Sequence, residues 1–326
     1  MEYIDNVYVI NLDKDKDRLD LMQQQIPKLG RQFTRISAVN GKLLSKKEIS
    51  DKTTSMCNLF CTLSMIGCFL SHQKVWQKII DNNDNYAIVM EDDCELIDSF
   101  QDDLKNLLNE IIPLEPDLIY LGCFGACDYD KSKYSPFSHI VNFLYNPHNN
   151  QNNNTKENTQ GKYYYTPDAP TGTHCYMISN KCARYLLENL NKINDHVDLS
   201  MIKHLPKLKA FASKIKLGFQ SSSPSQSTQI NHKFPILFNS IFDNIKDSNN
   251  ITYSFYLSTS FIEVFGIPIT PYTIIFSILL FVFSKNKYMF TLFTYYLIIE
   301  FILDPKSINI IIFLYIINYI IHKFKK

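Results

Sequence analysis

The sequence predicts an α/β protein with a Rossmann-like mixed sheet, helices on both faces of that sheet, and an apolar helical tail. Short runs of β-branched and aromatic residues alternate with segments of helical periodicity, which is typical of a sheet covered by helices. Hydrophobic residues make up 45% of the 326 residues and charged residues 20%, so the chain can bury a sizeable core. From residue 264 onward the composition becomes strongly apolar.

The individual elements follow from the spacing of apolar residues. Residues 86–90 are all apolar, as in a central strand, and residues 66–80 place apolar side chains three and four positions apart, as in a helix packed on a core. The predicted strands cover residues 7–12, 35–39, 86–90, 117–122, 162–165 and 175–178. The predicted helices cover residues 16–28, 66–80, 100–112 and 181–190.

Composition divides the chain into one α/β domain at residues 1–235, a linker at 236–263 and an apolar tail at 264–326. Within the domain, the Asn-rich stretch at about 148–160 cannot bury enough surface to order itself, which predicts a flexible loop. Residues 264–284 carry no charge over 21 positions, enough for a transmembrane helix. We therefore expect a membrane-associated tail; a buried helical subdomain is the alternative.

Charge and cysteine content exclude several classes of protein. Lys and Arg number 33 against 32 Asp and Glu, and this balance gives no support for a nucleic-acid partner. The eight cysteines are dispersed, and the close pairs at 57/61 and 123/127 lack the spacing of zinc knuckles, so we expect reduced, mostly buried thiols. The chain opens without a signal-peptide pattern, which favours a cytoplasmic catalytic domain held at a membrane.

An acidic triplet, Glu91-Asp92-Asp93, directly follows the predicted central strand. Ligands of open α/β sheets bind at the carboxyl ends of strands, and carboxylate oxygens suit Mg²⁺ and Mn²⁺. Adjacent carboxylates also repel one another, so the cluster needs a cation or water. The triplet thus predicts a divalent-metal site, and a solvated acidic loop is the alternative.

Six short motifs, in order along residues 7–229, resemble the signature of glycosyltransferase family 25, which includes lipooligosaccharide and collagen galactosyltransferases. The motifs are Val9-Ile10-Asn11-Leu12-Asp13 with Arg18; Arg35-Ile36-Ser37-Ala38-Val39-Asn40-Gly41; Gly67-Cys68-Phe69-Leu70-Ser71-His72 with Trp76 and the acidic triplet; Gly172-Thr173-His174-Cys175-Tyr176-Met177-Ile178-Ser179 with Ala183; Val197-Asp198-Leu199; and Ser223-Pro224 through Thr228-Gln229. The tail lies outside the resemblance.

The resemblance implies a GT-A type fold and inverting transfer of a hexose from a nucleotide sugar, such as UDP-galactose or UDP-glucose, to a glycan or protein acceptor. For this chemistry we expect Mn²⁺ or Mg²⁺ held by Asp93, with Glu91 or Asp92 assisting, where the cation would neutralise the departing diphosphate. Asp198 is the expected base for the acceptor hydroxyl, with Asp195 second. Donor contacts are expected from Asn11, Asp13, Arg18, Ser71, His72, Asp92, Gly172, Thr173 and Gln229.

Several of these residues also have ordinary structural explanations. Asp198 can cap the helix that follows it, and Arg18 can pair with Asp15 or Asp20 on a helix surface. His72 can be a hydrogen-bonded core residue. At the level of the whole chain, the alternatives are a non-catalytic binding or scaffold protein at a membrane, and a membrane-embedded structural protein.

Overall fold

The computed structural model describes residues 2–146, 160–220, 234–246, 252–260, 262–264, 267–283 and 286–324. The chain forms two compact units. The first comprises Met1–Asn58 with Leu63–Ser221, and the second comprises Leu59–Thr62 with Ser222–Lys326. Most of the Asn-rich stretch predicted as a loop lies outside the described residues.

The strands and helices are numbered along the chain. The strands are β1 (Asn6–Asn11), β2 (Thr34–Ser37), β3 (Tyr86–Glu91), β4 (Cys94–Leu96), β5 (Leu118–Ala126), β6 (Tyr164–Tyr165), β7 (Ala169–Ser179), β8 (Ala210–Ser213), β9 (Gly218–Gln220), β10 (Ile262–Val264) and β11 (Ile267–Ile269). The α-helices are α1 (Lys16–Gln24), α2 (Ile26–Leu29), α3 (Lys46–Lys52), α4 (Ser55–Phe60), α5 (Leu63–Asp81), α6 (Phe100–Ile111), α7 (Pro136–Tyr145), α8 (Asn180–Asn189), α9 (Val197–His204), α10 (Ile236–Phe242), α11 (Tyr253–Ser258), α12 (Pro271–Phe283), α13 (Lys287–Leu303) and α14 (Ile308–Phe324).

A seven-stranded mixed sheet forms the centre of the first unit, in the order β2-β1-β3-β7-β5-β8-β6. Strands β2, β1 and β3 are parallel to one another, as are β5 and β8. Strand β7 lies antiparallel between β3 and β5, and β6 runs antiparallel to β8 at the edge. The predicted α/β class is confirmed, and the mixed sheet with flanking helices agrees with a GT-A type fold.

The core of the first unit explains why these segments form a covered sheet. Side chains of β1, β3, β5 and β7 pack with helix α6 in one hydrophobic cluster, which includes Val9, Ile88, Leu104, Leu121 and Met177. Strand β7 is buried along its whole length, as expected for a strand between two neighbours and beneath helices. This buried centre fixes where the strand ends lie.

The predicted helix at 16–28 is divided into α1 and α2. Pro27 lies in the first turn of α2, where a backbone N–H has no partner within the helix and its absence costs nothing. In the interior of one long helix, Pro27 would have removed a backbone hydrogen bond. Gly30 then ends α2 in the left-handed conformation. Local proline chemistry therefore overrides the helical periodicity of the segment.

Helices α12, α13 and α14 of the second unit pack around a core of their own. Phe234, Tyr272, Phe276, Leu297 and Leu314 are buried in it. Glu300 is also fully buried, and its carboxylate accepts hydrogen bonds from the backbone N–H groups of Ile236 and Leu237 at 2.6 and 3.0 Å. The buried charge thus binds the first turn of α10, which offers unpaired donors.

The transmembrane helix predicted at 264–284 is wrong for the described residues, where no helix has the length and apolar character needed to cross a membrane. The segment instead contains strand β11 and the 13-residue helix α12. Helix α12 begins at Pro271, and Thr270 and Thr273 bond each other's backbone N–H groups there. Because proline favours the first turn of a helix, α12 begins at Pro271 and not at the start of the apolar run.

The expectation of reduced thiols is wrong for four of the eight cysteines. Cys123 and Cys127 form a disulfide with 6.0 Å between their Cα atoms, and Cys57 is disulfide-bonded, as is Cys61. The other four cysteines are free.

Candidate active site

The candidate site lies where parallel strands β1 and β3 end side by side. Asn11 is the last residue of β1, and Glu91 is the last residue of β3, with Ile10 paired to Glu91 in register. Strand β7 runs the opposite way beside β3, with Cys175 opposite Met90, so the residues before Cys175 extend past the end of β3. The topology therefore brings three predicted motifs to one edge of the sheet.

Asp92 is held by two donors from the first motif. Asn11 Nδ2 donates to Asp92 Oδ2 at 2.8 Å, and Arg18 Nη1 donates to Asp92 Oδ1 at 2.5 Å. Burial raises the pKa of the Asp92 carboxyl above its ordinary value, although the Arg18 charge opposes that rise. Arg18 thus pairs with the acidic triplet, and the predicted alternative pairing on a helix surface is not its main contact.

Asp93 is the least compensated carboxylate of the triplet. Its Oδ2 receives Arg18 Nη2 at 3.4 Å and Gln220 Nε2 at 3.2 Å. Its Oδ1 is buried and, among the described residues, has no hydrogen-bond partner. Burial, followed by the negative charge of Glu91, raises the pKa of Asp93 to about 7. A buried acceptor without a donor costs free energy, so this oxygen is suited to bind a cation.

Glu91 is fixed by two donors on the same oxygen. Thr173 Oγ1 donates to Glu91 Oε1 at 2.7 Å, and His72 Nε2 lies 3.4 Å from that oxygen. Burial favours the neutral acid, but the interactions of Glu91 with His72 and with the Thr173 hydroxyl outweigh burial, and the pKa of Glu91 falls to about 2. Both hydrogen bonds that the described residues make to Glu91 fall on Oε1, which leaves Oε2 for a ligand.

A buried chain of hydrogen bonds orients His72. Trp76 Nε1 donates to the Tyr176 hydroxyl at 2.9 Å, and that hydroxyl lies 2.9 Å from His72 Nδ1. Because the indole can only donate, the Tyr176 oxygen accepts from it, and its proton is available for His72 Nδ1. In neutral His72 the other proton then lies on Nε2 and points to Glu91. His72 is a buried core residue and also a contact of the acidic triplet.

The remaining residues of the first motifs contact other parts of the first unit. The Asp13 carboxylate pairs with Arg35 at 2.5 Å and accepts from Ser37, and both contacts lower its pKa while it remains well exposed. Ser71 is buried; its hydroxyl donates to Gly67 O at 2.7 Å and accepts from the Val39 N–H at 2.8 Å. Ser71 therefore ties helix α5 to the chain after β2.

Asp198 lies in the first turn of helix α9. Its Oδ2 accepts from the Gly172 N–H at 3.0 Å, and its Oδ1 accepts from the Leu199 N–H at 2.8 Å. Gly172 has φ +85°, and a Cβ there would come within 2.5 Å of the Phe124 ring, so the close approach requires glycine. Asp198 thus joins the start of α9 to β7.

The negative charges of Glu91, Asp198 and Asp93 all act on the thiol of Cys68. Loss of water around Cys68 raises its pKa well above the ordinary value, and these three charges raise it further, in that order. Asp195, by contrast, pairs with Lys203 and Ser200 of its own helix region. Asp198 therefore lies near the triplet, because it bonds Gly172, the neighbour of Thr173, whereas Asp195 is occupied by side chains of its own helix region. Gln229 lies outside the described residues.

The oxygen donors fit a hard divalent cation. Unpaired Asp93 Oδ1 and the free Oε2 of Glu91 are the groups that would bind Mn²⁺ or Mg²⁺. A second donor set also exists, because Cys68, His72 and Glu91 place one ligand atom each within 4.8 Å of one another.

Comparison with known proteins decides the family. The family model described as glycosyltransferase family 25 (LPS biosynthesis protein) matches residues 4–201. The chain belongs to glycosyltransferase family 25. The resemblance found in the sequence is thereby confirmed, and the family is one of sugar-transferring enzymes. All the predicted site residues except Gln229 lie within the matched range.

Two relatives of the family-25 chain are procollagen galactosyltransferases. Procollagen galactosyltransferase 1-B of Xenopus laevis is 34% identical over 128 residues, which cover 36% of this chain and 21% of that protein. Procollagen galactosyltransferase 2 of Homo sapiens is 31% identical over 128 residues, covering 36% and 20%. The chain thus matches about a fifth of the length of these curated relatives.

Three contributors to the family-25 site were missed in the sequence. Cys68 lies four residues before His72 on one helix, a spacing that could have revealed a shared face. Gln220 is the last residue of the short strand β9, which carries no local signal of function, and it bonds Asp93. Tyr176 was quoted as part of a motif, but its hydroxyl contact with His72 needs the fold.

Proposed function

We propose that this family-25 protein transfers a hexose, galactose or glucose, from a nucleoside diphosphate sugar to a hydroxyl group of a glycan or protein acceptor. The proposal includes inversion at the sugar and dependence on Mn²⁺ or Mg²⁺. Family membership and the names of the galactosyltransferase relatives support the sugar chemistry. The single observation that carries the metal dependence is the buried, unpartnered Oδ1 of Asp93 at a strand end.

Asp93 and Glu91 would hold the cation against the donor diphosphate. When bound, the cation supplies positive charge for the diphosphate that departs. Arg18 adds a fixed positive charge across Asp92 and Asp93, which keeps the paired carboxylates together. Asn11 fixes Asp92 from the end of β1, near the expected nucleotide position. Asp13, Ser71, Gly172, Thr173 and Gln229 stay predicted donor contacts.

Asp198 is the proposed base for the acceptor. Inverting transfer needs a group that accepts the proton of the attacking hydroxyl on the face opposite the leaving diphosphate. The Asp198 carboxylate is fixed by two backbone N–H groups and lies on the β7 side of the site, near the triplet. A fixed carboxylate loses little freedom when the acceptor binds. Asp195 is the weaker proposal, since Lys203 already pairs with it.

The test is metal-dependent release of nucleoside diphosphate from a panel of nucleotide sugars, with transfer to glycan and peptide acceptors. Asp93→Asn should lower turnover by about 100-fold or more, because several kcal/mol of charge stabilisation would be lost. Asp198→Asn should lower transfer by about 10²- to 10⁴-fold and preserve calorimetric donor binding with Mn²⁺. Asp98→Asn, whose carboxylate is 94% exposed, is the matched control and should stay active.

Near-normal metal-dependent activity of Asp93→Asn would contradict the proposed mechanism. A wild-type chain that binds nucleotide sugar but never turns it over would instead favour the non-catalytic binding protein. The intact acidic triplet argues against that alternative.

We also propose that the second unit associates with a membrane surface without crossing the bilayer. Helix α14 exposes an apolar stripe at every fourth residue, and helices α12 and α13 expose further apolar side chains. These residues are Ile308, Ile312, Ile316 and Ile320 of α14, Ile274, Ile278 and Val282 of α12, and Leu292, Tyr295, Ile299 and Ile302 of α13. Apolar stripes of this kind bind the headgroup boundary of lipid. Placement of the first unit on the cytoplasmic side stays a prediction.

Vesicle sedimentation of the full chain tests this association. Changing Ile312 and Ile316 to Glu should weaken binding to phosphatidylcholine vesicles by more than tenfold, since each buried isoleucine contributes about 1.5–3 kcal/mol. Ile215→Glu changes an isoleucine of the first unit that is 46% exposed, and it should leave binding unchanged. Equal binding of both variants would contradict the proposal.

A further inference from the structure

We propose that Cys68, His72 and Glu91 form a binding site for a borderline-soft divalent cation of the zinc class. This set shares Glu91 with the proposed Mn²⁺ or Mg²⁺ ligands, but the sugar transfer proposed above uses neither the Cys68 thiol nor the His72 imidazole as a metal ligand.

The three donors already converge. Their ligand atoms lie within 4.8 Å of one another, and His72 Nε2 is 3.4 Å from Glu91 Oε1. Ligands of a tetrahedral zinc ion, at about 2.0–2.3 Å from the metal, lie roughly 3.5 Å apart. The His72–Glu91 pair therefore has the required separation, and the Cys68 sulfur lies within 4.8 Å of both partners' ligand atoms.

Secondary structure keeps two of the donors on one face. Cys68 and His72 are four residues apart on the 19-residue helix α5, so both side chains face the same direction. Glu91 approaches from the end of β3. The three donors therefore come from one face of helix α5 and from the end of strand β3.

Hydrogen bonds behind the donors orient them as in metal sites. The ring nitrogen of His72 that does not face Glu91 pairs with the Tyr176 hydroxyl at 2.9 Å, and Tyr176 is itself fixed by Trp76. Metal-binding histidines use their second nitrogen in this way. Thr173 fixes the Glu91 carboxylate at 2.7 Å. With a cation on Nε2, the proton of His72 lies on Nδ1 and donates to the Tyr176 oxygen.

The donor types select the class of cation. A thiolate, an imidazole and a carboxylate favour Zn²⁺ and Co²⁺ over Mg²⁺, which prefers oxygen ligands alone. Binding converts the Cys68 thiol to a thiolate and releases one proton to solvent. The negative charges of Glu91, Asp198 and Asp93 around that thiol attract a cation. Three protein ligands leave a fourth position for water or a substrate oxygen.

Cobalt titration of the full, metal-stripped chain tests the proposal with a readout other than activity. One equivalent of Co²⁺ should produce a thiolate-to-cobalt charge-transfer band, Zn²⁺ should abolish it, and millimolar Mg²⁺ should not. Cys68→Ser should lose the band, and His72→Gln should weaken Co²⁺ binding at least tenfold. Cys182→Ser, at a buried free cysteine of α8, should keep it.

Two further variants separate this proposal from the proposed function. Asp93→Asn should keep the cobalt band even where it abolishes turnover, and Tyr176→Phe should keep the band with roughly tenfold weaker binding. Circular dichroism of each variant confirms folding. Absence of the band in the wild-type chain, or its persistence in Cys68→Ser, would overturn the proposal.

Discussion

Replacing Tyr176 by Phe removes one oxygen from the centre of the site and leaves the ring in place. Two buried groups then lose their partner, the Trp76 Nε1–H and the His72 Nδ1, both in fully buried side chains. Each buried group left without a hydrogen bond costs about 1–3 kcal/mol. Allowing for partial relaxation, we expect the first unit to lose about 2–4 kcal/mol of unfolding free energy.

Urea unfolding followed by tryptophan fluorescence measures this loss directly. Trp76 is the only tryptophan of the chain and belongs to the hydrogen-bonded group, so its emission reports on the first unit alone. If the unfolding free energy of the wild type and of Tyr176→Phe falls with the same slope in urea, the two unfolding midpoints can be compared directly. This choice of probe matters because a chain of two units need not unfold in one step.

Tyr185→Phe is the matched control for the loss of one tyrosine hydroxyl. The Tyr185 hydroxyl pairs with His204 Nδ1 at 2.8 Å, but both residues are only half-buried, so water can replace the lost partner. We expect this control to cost less than about 1 kcal/mol. A loss below about 0.5 kcal/mol in Tyr176→Phe, or equal losses in the two variants, would refute the reasoning.

Three further predictions concern pH, a loop and a glycine. Burial raises the pKa of Asp93 from 3.8 to about 7, so its ionisation destabilises the metal-free fold increasingly from about pH 4 to pH 7. Unfolding curves should show that Asp93→Asn has an unfolding free energy about 2–4 kcal/mol above that of the wild type by pH 8. A difference between the two proteins that does not change with pH would contradict this. Deleting residues 149–158 should shift the melting temperature by only a few degrees, because closure entropy varies slowly with loop length; loss of folding would show that the segment packs. Gly172→Ala should lower both the unfolding free energy and the transfer rate, because the new Cβ would displace Phe124 and move the Gly172 N–H that bonds Asp198. Wild-type values of both quantities would refute this prediction.

Much of the sheet was predictable because buried strands are continuous apolar runs. The prediction at 86–90 and the observed β3, Tyr86–Glu91, differ by one residue, because the strand includes the first residue of the acidic triplet. Helices α3 and α7 were not predicted. Helix α3 has no buried residue and starts at a capping box formed by Ser45 and Glu48, so its signal is local hydrogen bonding and not hydrophobic periodicity.

The site was predictable in its residues but not in its contacts. Arg18 could be identified from its motif, yet its pairing with Asp92 joins positions 74 residues apart. The Trp76–Tyr176 hydrogen bond spans 100 residues, and no local pattern carries such information. The sequence ranks Asp198 above Asp195 as the base, but only the fold shows that Lys203 pairs with Asp195 while the Gly172 N–H bonds Asp198.

Strand β7 contacts three groups of the site from one continuous segment. The Gly172 N–H fixes the proposed base, the Thr173 hydroxyl fixes Glu91, and the Tyr176 hydroxyl fixes His72. A segment buried along its whole length and paired on both sides is the part of the fold least free to drift. A shift of this one strand would therefore move the proposed base, Glu91 and His72 together, so the relative positions of these three groups depend on a single stretch of backbone.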